Sequence, residues 1–162
     1  MFRPLFAALL LLTSASILAQ SGPAQSPQRF GDLLIYHNTF NSSYLQPEIA
    51  AAAGLQRGPK QGVVNIAVQR KTASGVEAVD AQVKGTVKNL LQQIEPLKFI
   101  RIKEQDSIYF VANYTAAHRG LLQFTVQVQA DEQSPTHTVT FQQEFFPDEY
   151  QQSADPAVGA GQ

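Results

Sequence analysis

Leu122-Gln123-Phe124-Thr125-Val126-Gln127-Val128-Gln129 decides the fold class. Leu122, Phe124, Val126 and Val128 recur every second residue, with Gln and Thr between them. Successive side chains of an extended chain point to opposite faces. A strict two-residue rhythm therefore describes a strand with one buried and one wetted face. A helix would need apolar residues three or four apart.

The rhythm recurs on both sides of this stretch. Downstream, Val139 and Phe141 alternate with Thr138, Thr140 and Gln142. Upstream, Ile108, Phe110 and Ala112 share a face. Val64, Ile66 and Val68 share another, as do Val79, Ala81, Val83 and Val87. Leu33 to Asn38 and Leu97 to Lys103 complete seven expected strands. Turn-type clusters separate them. Lys103 to Ser107, Ala117 to Gly120 and Asp131 to Pro135 all read as hairpin connections. The expectation is a mostly β, antiparallel two-layer sandwich of immunoglobulin-like architecture. The neutral Gln and Thr faces suit half-exposed sheets.

One short helix is expected within it. Pro47 suits a first helical position, and Glu48 favours the N-terminal dipole. Ile49 to Ala53 propagate the helix, its alanines allowing close approach to a sheet, and Gly54 can close it in the left-handed conformation. Val87 to Ile94 admits a second, helical reading, because Leu90, Leu91 and Ile94 fit that spacing.

The chain ends read differently. Arg3, the run Leu5 to Leu12 and the small residues up to Ala19 form the three parts of a signal peptide. The apolar run turns polar at Thr13, too early for the roughly 20 residues that span a bilayer. Cleavage after Ala19 is expected, with Ala15 and Ala24 as alternatives, and no stable membrane insertion follows it. Residues 20–29 then form a flexible leader, 30–150 a single sandwich domain, and 151–162 a disordered tail. The expected location is the periplasm or the exterior.

Composition closes several routes. The chain of 162 residues contains no cysteine, so disulfides, thiolate catalysis and cysteine metal sites are absent. Its formal charge is −1, with no basic concentration to bind nucleic acid. His37, His118 and His137 are the only histidines, and none stands at metal-ligand spacing from another. No Gly-x-Ser-x-Gly elbow occurs. No catalytic residue, metal ligand or cofactor is assigned.

The stretch from Leu34 to Ile49 carries the most chemistry. Tyr36, Phe40 and Tyr44 recur every four residues, interleaved with His37, Asn38, Asn41 and Ser42. An extended strand puts the three aromatics on one face, and aromatic platforms flanked by amides suit sugars or peptides. The plainer alternative has the aromatics in the core, with Asn and Ser side chains tying the turn into the helix.

This stretch, Tyr-His-Asn-x-Phe-Asn-Ser followed by Leu-x-Pro-Glu-Ile, together with the Gly62 to Val68 strand, resembles DUF4426, a bacterial family of unknown function. Its members are short proteins, typically with an export signal. The resemblance covers about Phe30 to Pro147 and implies no activity, cofactor or catalytic residue.

Two functional expectations follow. The first is a binding or interaction module for an envelope protein, peptide or glycan, its ligand contacts being Tyr36, His37, Asn38, Phe40, Asn41, Ser42 and Tyr44. The alternative is an envelope hydrolase with dispersed catalytic residues, using His37 beside Asp32 or Glu48.

Overall fold

The computed structural model describes residues 26–148. The expected signal peptide, the leader up to residue 25 and the tail lie outside the described residues. Inside them the chain is ten strands in two antiparallel sheets, with one short helix.

The first sheet runs, edge to edge, β1 (Gln28–Phe30), β2 (Leu33–Asn41), β3 (Gln61–Thr72), β8 (Ser107–Thr115) and β7 (Ile100–Glu104). β4 (Gly75–Ala78) pairs with the far end of β3. The second sheet runs β10 (Thr136–Phe145), β9 (Gly120–Gln129), β5 (Gln82–Lys88) and β6 (Ile94–Leu97). Leu122, Phe124, Val126 and Val128 are buried as their alternation predicts, together with Val139 and Phe141. Ile35, Val64, Ile66, Val68, Phe110 and Ala112 meet them from the first sheet. Each fully buried Phe or Ile contributes about 1.5–3 kcal/mol through removal from water.

Several expectations needed correction. Gln28 and Arg29, placed in the leader, are strand residues paired with Ile35 and Leu34. Leu97 to Lys103 is not one strand. It breaks at Lys98-Phe99, where the chain passes from β6 in one sheet to β7 in the other and Phe99 packs on the core. Val79 to Ala81 is likewise a crossing between sheets rather than the start of a strand. Ala117 to Gly120 is no hairpin, because β8 and β9 belong to different sheets. Val87 to Ile94 is not helical. Val87 and Lys88 end β5, Asn89 to Gln93 turn, and Ile94 opens β6. Local alternation does not encode which sheet a strand joins, and the misread crossings at Val79 to Ala81, Lys98-Phe99 and Ala117 to Gly120 all follow from that.

The short helix α1 (Pro47–Ala52) has Pro47 at its start, Glu48 in its first turn and Gly54 at φ +69° after its end. It packs lightly. Ala50 is buried, whereas Ile49 is 56% exposed. Two hydrogen bonds between the Asn113 side chain and the Gln56 backbone tie the following loop to β8.

A row of rings crosses the interior. His37 of β2 stacks on Phe141 of β10 at 3.9 Å, and Phe141 stacks on Phe124 of β9 at 4.9 Å. Tyr114 of β8 meets Phe124 and Phe145 edge-on at 5.1 and 5.8 Å. Tyr114 lies over Gly62, its direct partner on β3, and a Cβ at Gly62 would run into the ring. Gly62→Ala should therefore cost about 1–3 kcal/mol, the usual range for overpacking. Urea unfolding should show most of that penalty vanish in a Tyr114→Leu background. An equal penalty in both backgrounds would disprove the packing account.

Candidate functional site

The strand directions gather the longer connections at one end of the sandwich. β2 leaves there and β3 returns, with α1 and a 3-10 turn (Ser42–Tyr44) between them. The β5–β6 turn and the β8–β9 crossing sit there too, and the chain leaves β10 at the same end. The opposite end holds the β1–β2, β3–β4, β7–β8 and β9–β10 turns.

The seven residues expected to bind ligand do not form one surface. Register places Leu33, Ile35, His37, Thr39 and Asn41 of β2 toward the second sheet, and Tyr36, Asn38 and Phe40 on the opposite face. Tyr36 and Phe40 thus share a face as expected, with Asn38 bonded to Asn65 between them at 3.1 Å. Tyr44 has left the strand and stands in the 3-10 turn, 67% exposed.

The remaining three tie elements together. The Asn41 amide donates to the Phe146 carbonyl and to Asp148 Oδ1, both at 2.8 Å, anchoring the chain after β10. Ser42 is fully buried; its hydroxyl donates to the Gly58 carbonyl and accepts from the Gly58 N–H, closing the loop between α1 and β3. His37 belongs to the aromatic row, and its Nε2 is buried with no hydrogen-bond partner.

His37 pairs with neither acid expected beside it. Asp32 faces Arg70 at 3.2 Å, and Glu48 stands exposed in the first turn of α1. The other histidines lie elsewhere: His137 stacks on Phe30 at 4.5 Å, and His118 lines a groove at the loop end. Among the described residues no group of three or more His, Asp or Glu stands where it could hold a metal ion.

That groove encloses about 450 Å³ between the β5–β6 turn and the β8–β9 crossing. Leu90, Leu91, Ile94, Leu121, His118 and Arg119 contribute to its walls. Asn89 organises the turn. Its carboxamide accepts from the Leu91 and Gln93 N–H groups at 3.0 Å and donates to Gln93 Oε1 at 2.7 Å. Gln92 takes a positive φ of 63° within it. A cross-braced turn thus presents Leu90 and Leu91 to solvent, 68% and 79% exposed.

Arg119 lines this groove and pairs with Glu144, which lines a smaller hollow of about 210 Å³ beside Thr39, Phe40 and Tyr44. Its Nε donates to Glu144 at 2.9 Å, and its guanidinium lies 4.5 Å from the centre of the Phe146 ring. Sequence reading missed this groove. The Leu90-Leu91 pair was its one visible signal, and helical spacing claimed it.

The comparisons with known proteins agree with this architecture. The model of the domain of unknown function DUF4426 matches residues 27–148. The chain belongs to the DUF4426 family. A DUF4426 protein from Pseudomonas aeruginosa PAO1, solved by crystallography, is 41% identical and superposes with a TM-score of 0.67. The match covers 76% of this chain and 95% of that one. FetP of uropathogenic Escherichia coli strain F11, recombinantly expressed in the periplasm of E. coli, shares the fold at 13% identity. Its TM-score is 0.56, over 78% of this chain and 96% of FetP. A copper-bound variant of FetP superposes with a TM-score of 0.55 at 11% identity, over 77% of this chain and 97% of that one. No match was found among curated proteins.

Within this DUF4426 domain two rings, the buried Tyr114 and the half-buried His37, have shifted proton affinities. Burial pushes the Tyr114 hydroxyl up to about 12, against a hydrogen bond with Thr39 that lowers it. Burial lowers the His37 imidazole below its ordinary 6.5. The unfolded chain therefore holds the His37 proton more tightly than the folded chain does. The stability tied to neutral His37 is complete above pH 6.5 and is lost as pH falls through the lower folded value. The melting temperature should drop between pH 7 and pH 5, and His37→Phe should flatten that slope. An unchanged slope would remove His37 from the account.

Proposed function

We propose that this DUF4426 protein is an exported, non-catalytic binding module whose loop-bearing end docks an apolar segment of an envelope protein. One observation carries the reading. The large apolar side chains left exposed among the described residues are Tyr44, Ile49, Val76, Leu90, Leu91, Ile94, Leu121 and Phe146. All but Val76 lie in or beside the connections of that one end. Folded proteins scatter such residues, and their concentration marks an interaction surface. The bracing by Asn89 reinforces the reading, because a rigid tip has little freedom left to lose on binding.

The fold shared with FetP and the N-terminal pattern of residues 1–19 support export to the periplasm. Copper does not transfer with the fold. His37 and His137 are each stacked on a phenylalanine, and His118 stands apart in the groove. The described residues thus offer no shared donor set to a metal ion, and no step is assigned to one.

Two outcomes test the reading. Protein recovered from the bacterial envelope should begin at Gln20 on N-terminal sequencing; an intact Met1 would refute export by cleavage. A photo-crosslinker at Leu91 should form a discrete adduct in cells, while one at Val76, on the far side, should not. Leu90→Ser/Leu91→Ser should reduce the Ile94-crosslinked form of that adduct at least tenfold. It should shift folding stability by no more than about 0.5 kcal/mol, as exposed substitutions do. Equal labelling from Leu91 and Val76 would defeat the assignment.

A further inference from the structure

A second surface stands apart from the loop end. Exposed strand edges invite pairing with other chains, and folded proteins usually guard them with charge, proline or brevity. Most edges here are guarded. β7 carries Arg101, Lys103 and Glu104; β6 has four residues, one of them Pro96; β4 has four and β1 three. β10 is different. It pairs with β9 through ten consecutive residues without a bulge. It contains no Lys, Arg or Pro, and its one acid, Glu144, is held by Arg119. Thr136, Thr138, Thr140 and Gln142 along it are exposed.

The two sheets also differ in width on this side. The first sheet is five strands across and the second four. β2 lies under β10, as the His37–Phe141 stack shows, so β1 extends one strand beyond the β10 edge. Gln28 and Phe30 of β1 pair with Ile35 and Leu33 and share their inward face. Both reach the free edge. Phe30 stacks on His137, and the Gln28 amide donates to the Thr140 carbonyl at 3.1 Å. The result is a ledge, floored by Phe30, beside an unpaired strand.

We propose that this ledge accepts an extended, uncharged segment of a partner polypeptide as a fifth strand of the second sheet. The occupant is a single strand rather than a second copy. Joining β10 to β10 of another copy would bring that copy's β2, which lies beneath its own β10, into the space held by β1. The chain's own residues 149–162 are poor candidates, because Asp155, Pro156, Gly159 and Gly161 disfavour a strand.

Charge sets the partner's composition. No charged residue lines the edge from Thr136 to Gln143, and side chains facing the ledge are removed from water beside Phe30 and Phe141. Apolar residues must therefore alternate with neutral ones over roughly 24 Å, the reach of about seven extended residues. Backbone pairing supplies affinity and the ledge supplies selection.

The probe is a synthetic peptide with the sequence of Gly120–Gln129, which already has this alternation, extended by two lysines for solubility. Its control is a scrambled peptide of the same composition. On the full mature chain, the alternating peptide should slow amide exchange at Thr136 to Gln142 at least tenfold, and the scrambled one should not. Gln28→Ala, which removes the donor on Thr140, should tighten binding several-fold. Phe30→Lys should weaken it at least tenfold. Leu90→Ser/Leu91→Ser should leave it unchanged, so failure at one surface is separable from failure at the other. Equal protection by both peptides, or none by either, would overturn the proposal. So would edge amides as protected without peptide as the interior of β9, since the chain would then be covering its own edge.

Discussion

The contact on which this sandwich depends is the row of rings from His37 through Phe141 and Phe124 to Tyr114 and Phe145. Its contacts His37–Phe141, Tyr114–Phe124 and Tyr114–Phe145 each join the two sheets, so it fixes how one sheet lies over the other. Without cysteine, nothing covalent performs that task. The row requires space as well as rings. Tyr114 fits only because Gly62 has no side chain, and any Cβ there would run into its ring. A polar member, His37, is tolerated because burial keeps its neutral form favoured.

That alignment gives the molecule two unlike ends. At the turn-bearing end, polar pairs predominate: Arg101 grips Asp80 through two nitrogens at 2.6 Å, and Ser134 donates to Asp131 at 2.5 Å. These groups are exposed, so they contribute little stability and chiefly keep the surface wetted. At the other end the polar groups are turned inward to brace loops. Asn41, Ser42 and Asn89 spend their hydrogen bonds on backbone and on neighbouring side chains, leaving leucine and isoleucine outside. This asymmetry is what favours the loop-bearing end for the docking role proposed above.

Membership in DUF4426 and the likeness to FetP place the chain in one shared architecture. Copper binding by FetP shows that this architecture can host a metal, but an architecture does not carry a site with it. Here two of the three histidines are used in stacking, and they stand on different strands with aromatic neighbours instead of other donors.

The two-residue rhythm determined the mostly β class and the buried faces of β3, β8, β9 and β10, and the turn-type clusters marked the β7–β8 and β9–β10 hairpins. Pro47, Glu48 and Gly54 marked the helix to within one residue, because capping chemistry is local. What the rhythm does not contain is the assignment of strands to sheets. Lys98-Phe99 reads as the interior of a strand and Ala117 to Gly120 as a hairpin connection, yet each carries the chain from one sheet to the other. Tertiary structure alone therefore decided that His37 meets Phe141, that the Tyr36–Tyr44 stretch is divided between two faces, and that Leu90, Leu91 and Ile94 form one wall with Leu121. Side-chain alternation is a property of neighbours in sequence, whereas a site is made by residues that only the packing of two sheets brings together.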